Sequence, residues 1–339
     1  MGAEGGNLTY AESSHAALWN EGVMSRRSNG SAEFTPVAGG LGDWGNLYAL
    51  TSFNDTKNNR RVQIGWAPED IVGDEGLFSA SQQGFQGSHS LPRELFVHEV
   101  SGVVNTDGEL TTNRNSLLTE MGDGTFMAQT LGVRPVSDVV EGLRGGSGCT
   151  HHSYGSGKSY SGSKILKKSG SAQMEIKATV SSATGACGLI IGADPTMTEY
   201  TTIMYEPSNN TLLVDRSHSS TIKKFNDATI TGYFYPYTTM SSDGSTAQES
   251  ITMDVFVDGS LVEVYLNERF ALTTRIYPSM ECATGYGVYV ADGAKATFES
   301  VHAWENLLHV WTDRPANSSS PLVFDTAAET NDYTWWAGN

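Results

Sequence analysis

Cysteine, proline and charge are all scarce in this chain. The three cysteines, Cys149, Cys187 and Cys282, lie too far apart for the paired spacings of a metal site and allow one disulfide at most. Ten prolines against 37 glycines make a turn-rich chain with few helix signals. Charged residues are only 17% of the 339 positions, so hydroxyls and amides keep the surface soluble, and aromatics at 10% argue against an unstructured chain. The charge that is present is mostly acidic: 38 carboxylates against 21 basic residues give a formal charge of -17, which repels a phosphate backbone and makes nucleic acid a poor partner. No apolar run reaches the roughly 18 residues of a membrane span, so no membrane partner is expected. The start, Met1-Gly2-Ala3-Glu4-Gly5-Gly6, has neither the basic residues nor the apolar core of a signal peptide. Neither a cofactor nor a metal is expected: Gly145-Gly146-Ser147-Gly148 lacks the lysine of a phosphate loop, and Cys149, His151 and His152 lack a second ligand pair.

What the chain does have is short β-prone runs between turn clusters. Residues 47–53 and 61–66 flank the polar loop 54–59 and read as a hairpin. Residues 92–104 lead to the turn signal Asp107-Gly108 of a second hairpin. Consecutive hairpins of this kind build a propeller blade or part of an antiparallel barrel. Residues 141–165 are rich in Gly and Ser and read as a connector. Beyond it, 173–180 and 252–258 alternate with period two; Met253, Val255 and Val257 share one face and Asp254, Phe256 and Asp258 the other, which predicts one buried and one wet face. Asp258-Gly259-Ser260 turns the chain into 261–266, whose expected partners are 271–277 and 286–290, and 296–304 adds another strand. Together, residues 166–310 read as an antiparallel sandwich. The tail from 311 is loop-like, and Trp335-Trp336 suggest that it docks. Sequons at Asn7, Asn29, Asn54, Asn209 and Asn317 are glycan acceptors in a secreted protein.

Four stretches carry a more specific signal: Asp43-Trp44-Gly45-Asn46-Leu47-Tyr48-Ala49; Arg60-Arg61-Val62-Gln63-Ile64-Gly65-Trp66; Ser90-Leu91-Pro92-Arg93-Glu94-Leu95; and Phe256-Val257-Asp258-Gly259-Ser260-Leu261-Val262-Glu263-Val264-Tyr265-Leu266-Asn267, continued by Thr273-Thr274-Arg275-Ile276-Tyr277-Pro278. In this order they resemble the C-terminal half of glycoside hydrolase family 32, the invertases, inulinases and fructosyltransferases, above all its fungal members. The resemblance implies an all-β fold. Residues 1–140 would be the last part, roughly one to two blades, of a five-bladed β-propeller; 141–165 the Gly/Ser-rich linker; 166–310 the C-terminal β-sandwich; and 311–339 a tail. It also implies retaining fructosyl transfer from sucrose or a fructan oligosaccharide, by a carboxylate and a carboxylic acid about 5 to 5.5 Å apart, in an extracellular parent enzyme.

The family's three catalytic motifs, Trp-Met-Asn-Asp-Pro with the nucleophile, Arg-Asp-Pro, and Glu-Cys with the general acid, lie upstream of the matched region. Only decoys occur here: Asn54-Asp55 in a hairpin loop, and Ala193-Asp194-Pro195 and Met280-Glu281-Cys282 in the sandwich. The expectation is therefore a portion with no catalytic residue of its own, inactive alone and completed by missing N-terminal propeller blades. The resemblance carries over four substrate-binding candidates. Glu69 matches a position in the subsite for the leaving or accepting sugar, Trp66 offers a face for stacking on a sugar ring, and Asp43 and Tyr48 are placed to face the channel. The plainer alternatives are packing for Trp66 and Tyr48 and a solvated turn for Glu69. A different class of reading is a non-catalytic carbohydrate-binding or scaffold module, and the reading also allows a homodimer.

Overall fold

Alternation of apolar side chains makes the second half of the chain into two facing sheets. In Gln173–Ala183 the side chains of Met174, Ile176, Ala178 and Val180 point one way, and in Ile251–Asp258 those of Ile251, Met253, Val255 and Val257 do the same. This architecture comes from a computed structural model that describes residues 2–4, 15–69, 87–105, 108, 110, 111, 115–222 and 229–308. One sheet runs, strand by strand, Thr150–Tyr160, Ala296–Glu305, Gln173–Ala183, Ile251–Asp258, Leu261–Leu266 and Phe270–Arg275. The other runs Lys164–Lys167, Gly285–Val290, Cys187–Ala193, Thr201–Glu206, Thr211–Asp215 and Ile230–Tyr233. Their inner faces share one apolar core, built from residues such as Ile176, Leu189, Ile203, Val255, Val264 and Val288. Each such burial is worth about 1.5–3 kcal/mol, so the core holds this double sheet together.

The first half forms two further antiparallel sheets. His15–Arg26 pairs with Ala32–Asp43 and with the short Gly2–Glu4. Tyr48–Asp55, Arg60–Ala67, Arg93–Val103 and Phe126–Pro135 follow one another across a second sheet, with Leu117–Glu120 beyond and Ser88–His89 beside Arg60–Ala67. The expected hairpin is there: Tyr48–Asp55 meets Arg60–Ala67, and Asp55 closes its turn by accepting from Asn58 and Arg60. Asp107 of the second expected turn and the tail from 311 lie outside the described residues.

Three expectations need correction. The segment 141–165 is no connector. It contains the end of a helix, Ser137–Arg144, and an eleven-residue strand, Thr150–Tyr160, that pairs with Ala296–Glu305 at the margin of the double sheet. The Gly/Ser content reflects an edge position: Tyr154 and Tyr160 pack inward, the intervening residues face water, and a bulge lies between Ser153 and Ser156. Second, Gly285–Val290 is not a partner of Leu261–Leu266, which pairs with Ile251–Asp258 and Phe270–Arg275; it belongs to the opposite sheet, beside Cys187–Ala193. Sequence neighbourhood misled here because the chain crosses between layers after Arg275.

Third, the face of Ile251–Asp258 expected to be wet is largely covered. Phe256 joins Val133, Val140, Tyr265 and Ala271 in a separate apolar cluster between the double sheet and the first half. The first half also bonds directly to the free edge of Phe270–Arg275: Trp44 N donates to Ala271 O and Asn46 N to Thr273 O, at 2.9 and 2.8 Å. In return the hairpin Thr238–Met240 and Thr246–Gln248 leaves the double sheet and extends the sheet of the first half, with Thr239 opposite Val103.

That edge contact explains Gly45. A Cβ there would lie 1.8 Å from Thr273 O and 2.7 Å from its carbonyl carbon, both backbone atoms. Gly45→Ala is therefore expected to destabilise the chain by about 3 kcal/mol or more, read as a lower urea midpoint; an unchanged midpoint would show that the close approach is not rigid.

Candidate functional site

The quoted sequence stretches converge on one buried cluster of charge. Arg93 opens the strand Arg93–Val103 and is fully buried between the two halves. Its Nη1 donates to Asp43 Oδ2 and its Nη2 to Glu263 Oε2, both at 2.7 Å, while Nη2 also reaches Thr273 Oγ1 at 2.6 Å. Asp43 and Arg93 come from the first half, Glu263 and Thr273 from the double sheet. The remaining acceptor positions are filled as well. Asp43 Oδ1 accepts from Gly45 N and Thr273 N at 2.8 and 3.0 Å, and Asp43 Oδ2 from Thr273 Oγ1 at 2.7 Å. Glu263 accepts from Leu91 N and from the Tyr265 hydroxyl, each at 2.7 Å. Burial holds Tyr265 well above its ordinary pKa, so it stays a neutral donor. Two carboxylates surround one guanidinium, and the hydroxyl and amide donors offset the excess negative charge. Arg93 Nε is the atom left without a partner.

A second cluster lies beside Trp66. Glu69 is 1% exposed, which overturns the solvated-turn alternative. Its carboxylate accepts from the Tyr277 hydroxyl at 2.7 Å and from Gly87 N at 3.3 Å, and lies 3.4 Å from Arg275 Nη1. Arg275 spreads its donors over the adjoining residues: Nη2 to Ala67 O and Ser88 Oγ, each at 2.7 Å, and Nη1 to Ser260 Oγ at 2.9 Å. Arg275 and Tyr277 from the double sheet thus clamp the two chain segments that meet at Glu69 and Gly87. Tyr48 and Trp66 face each other across the adjoining hairpin, with ring centroids 6.4 Å apart. Trp66 is 38% exposed, and its indole edge covers Gly87.

Two family models match the chain: the glycosyl hydrolases family 32 N-terminal domain over residues 23–107 and the family 32 C-terminal domain over residues 139–305. The chain belongs to glycoside hydrolase family 32. It is 27% identical over 252 residues to the cell wall isozyme of beta-fructofuranosidase from Pisum sativum, a match spanning 70% of this chain and 41% of the relative. Against fructan 6-exohydrolase from Beta vulgaris it is 22% identical over 306 residues, 82% of this chain and 45% of the relative. Among solved structures, fructosyltransferase from A. japonicus superposes with a TM-score of 0.79 at 27% identity, covering 92% of this chain and 53% of that one. Beta-fructofuranosidase from Aspergillus kawachii gives 0.78 at 26% identity, covering 92% and 55%. The family 32 chain therefore spans about half the length of the relatives it matches.

Within this family 32 chain the four candidates separate. Tyr48 faces Trp66, and Trp66 meets Glu69 through Gly87, which the indole covers and whose N donates to the carboxylate. Asp43 does not join them: its oxygens are occupied in the Arg93 cluster, which leaves none for a sugar and corrects the expectation that it faces a channel. The decoys are structural too. Asp194 caps a turn by accepting from Thr196, Thr198 and Glu199, and Glu281 is exposed. Among the described residues no group of three or more His, Cys, Asp or Glu is arranged to hold a metal. Sequence reading passed over Arg93, Glu263, Arg275 and Tyr277, although Glu263 interrupts the apolar run Leu261-Val262-Glu263-Val264-Tyr265-Leu266. A charge at that place in a buried strand needs a buried partner, which was the available signal.

Removing Arg93 leaves two carboxylates facing each other without their cation. Arg93→Ala is expected to cost about 3–5 kcal/mol, and Arg93→Lys to restore little of it, because an ammonium cannot bridge both acids as a guanidinium does. Urea unfolding of both variants checks this; a Lys variant as stable as the original would show that charge alone suffices.

Proposed function

We propose that this chain is the C-terminal part of a retaining β-fructofuranosidase or fructosyltransferase acting on sucrose or fructans. The observation that carries the reading is the superposition on the A. japonicus fructosyltransferase over 92% of the chain at 27% identity. In this reading the sheets of the first half are the last blades of a β-propeller, and the double sheet is the C-terminal β-sandwich. The double displacement needs a nucleophile and a proton donor at a fixed separation. Asp55, Asp194 and Glu281 are engaged in turns or exposed and supply neither. Both groups then come from propeller blades upstream of the matched region.

The chain's own contribution is a sugar-facing wall. Trp66, backed by Tyr48, stacks on the apolar face of a sugar ring, and Glu69 acts on that wall by holding Gly87, beneath the indole edge, together with Arg275 and Tyr277. The cell wall isozyme among the relatives supports an extracellular setting. The exposed Asn29, Asn54 and Asn209 are then open to glycosylation.

The test is fructose release from sucrose and inulin by the purified chain, alone and co-expressed with the upstream half of the A. japonicus fructosyltransferase. None is expected from the chain alone. Activity is expected from the pair, with Trp66→Ala raising KM about tenfold, or about 1.4 kcal/mol. Fructose release by the chain alone would refute the division of labour, and sugar binding without turnover in either preparation would favour a non-catalytic binding module.

A further inference from the structure

Two histidines far apart in sequence meet on the outer face of the double sheet, at its margin. His151 stands on the edge strand Thr150–Tyr160 and His302 on its neighbour Ala296–Glu305. His151 lies opposite Trp304 in the register and His302 opposite Ser153, so the two imidazoles are diagonal neighbours on one face. His151 Nε2 and His302 Nδ1 are 3.2 Å apart, with ring centroids at 5.3 Å and planes 19° from parallel. His151 is exposed and His302 half-buried, so the pair is open to water. His152, next in the chain, points to the other face and meets Lys167 Nζ at 3.3 Å. Spacing along the sequence leaves His151 without a second ligand, and the fold brings one from 151 positions away.

The separation of those nitrogens selects a coordination geometry. Two ligands on a tetrahedral zinc ion, with bonds of about 2.0–2.1 Å, stand about 3.3–3.4 Å apart. Neighbouring ligands on a square-planar ion with bonds of that length stand about 2.8–3.0 Å apart. The observed distance is nearer the first. We propose that His151 and His302 form a two-histidine site for a divalent metal ion of zinc's tetrahedral preference, bound through His151 Nε2 and His302 Nδ1 with water in the other two positions. No proton leaves the pair on binding, because each neutral imidazole carries its one proton on the nitrogen that faces away from the ion. The ion clips the edge strand to its neighbour just before the bulge between Ser153 and Ser156, where the ladder of backbone pairs is interrupted.

The surroundings suit a cation. Trp304 stacks on His151 at 4.7 Å between centroids and 18° between planes, and its ring lies 5.9 Å from that of His302. The indole thus holds both imidazoles in place for the ion, as neighbours of metal ligands commonly do. The nearest positive groups are neutralised where they stand. Arg144, 3.8 Å over the Trp304 ring, is held by both oxygens of Glu175, and Lys177, opposite His302 in the register, faces Asp254 Oδ2 at 3.3 Å. Neither cation is left unpaired to repel a metal ion, and both carboxylates are engaged, which leaves water as the completing ligand.

The test titrates zinc chloride into the intact, metal-free chain at neutral pH, in a buffer that does not bind zinc, with calorimetric detection. One ion per chain is expected, with a dissociation constant of roughly micromolar order. That constant should rise at least about tenfold in His151→Ala and in His302→Ala, and stay unchanged in His152→Ala. Zinc should also raise the melting midpoint of the original and of His152→Ala, and leave those of the other two variants where they are. Nitrogen-15 spectra of the imidazoles in the original protein locate the ligands without any substitution: zinc should shift Nε2 of His151 and Nδ1 of His302. Absence of binding up to about millimolar zinc, binding that survives both substitutions, or zinc shifts confined to other histidines overturns the proposal. The spectra decide it even if a variant fails to fold.

Discussion

Arg93 is the constraint on which the two halves of this chain depend. It is a cation with no exposure, bridging Asp43 from one half and Glu263 from the other through 2.7 Å contacts. A buried ion cluster adds little net stability over a well-packed apolar substitute, because desolvation offsets most of the attraction. What it adds is discrimination. Any sliding of the first half along the double sheet would separate charges that have no water to turn to, so the cluster penalises every register but one. The contacts around it are arranged to match: Gly45 permits backbone approach to Thr273, and Trp44 and Asn46 continue the hydrogen bonding of the edge strand Phe270–Arg275.

The outer face of the double sheet is consequently a polar surface put to internal use. Glu175, Asp254, Glu263, Thr273 and Arg275 all lie on it, and each is met by a group from the first half or the connecting helix, or by a neighbour on the same face. This differs from the inner core, where shape and area decide the packing and no direction is specified. Directional contacts on one side and non-directional packing on the other let the double sheet fold around its own centre while its orientation to the first half is set separately. The clamp of Arg275 and Tyr277 on Glu69 extends the same logic to the exposed pair Tyr48 and Trp66, so the sugar-facing wall proposed here is held partly from the double sheet.

The strands were legible where periodicity was strong. Residues 261–266 were read at their observed bounds, and 252–258 and 296–304 to within a residue at an end. Segments such as Cys187–Ala193 and Thr201–Glu206 escaped because they are buried on both faces or lie in short Thr-rich runs, where alternation disappears. Thr150–Tyr160 was hidden by its composition, since an edge strand needs few inward-facing residues. In the candidate site, Trp66 and Tyr48 were readable as a hairpin pair. Glu69 was readable as important, yet not as buried, because its partner Tyr277 lies more than two hundred positions away.

By itself the sequence determined the all-β class, the positions of the regular strands and, through four ordered stretches, membership of glycoside hydrolase family 32. These follow from local alternation and turn chemistry, which act over a few residues and leave a visible pattern. Only the tertiary structure decided which strands share a sheet, that the outer face of Ile251–Asp258 is covered, and that Asp43, Arg93, Glu263 and Thr273 meet. Those outcomes rest on charges and backbone groups that find each other across distant parts of the chain, and pairing over such separations leaves no periodic trace in a single sequence.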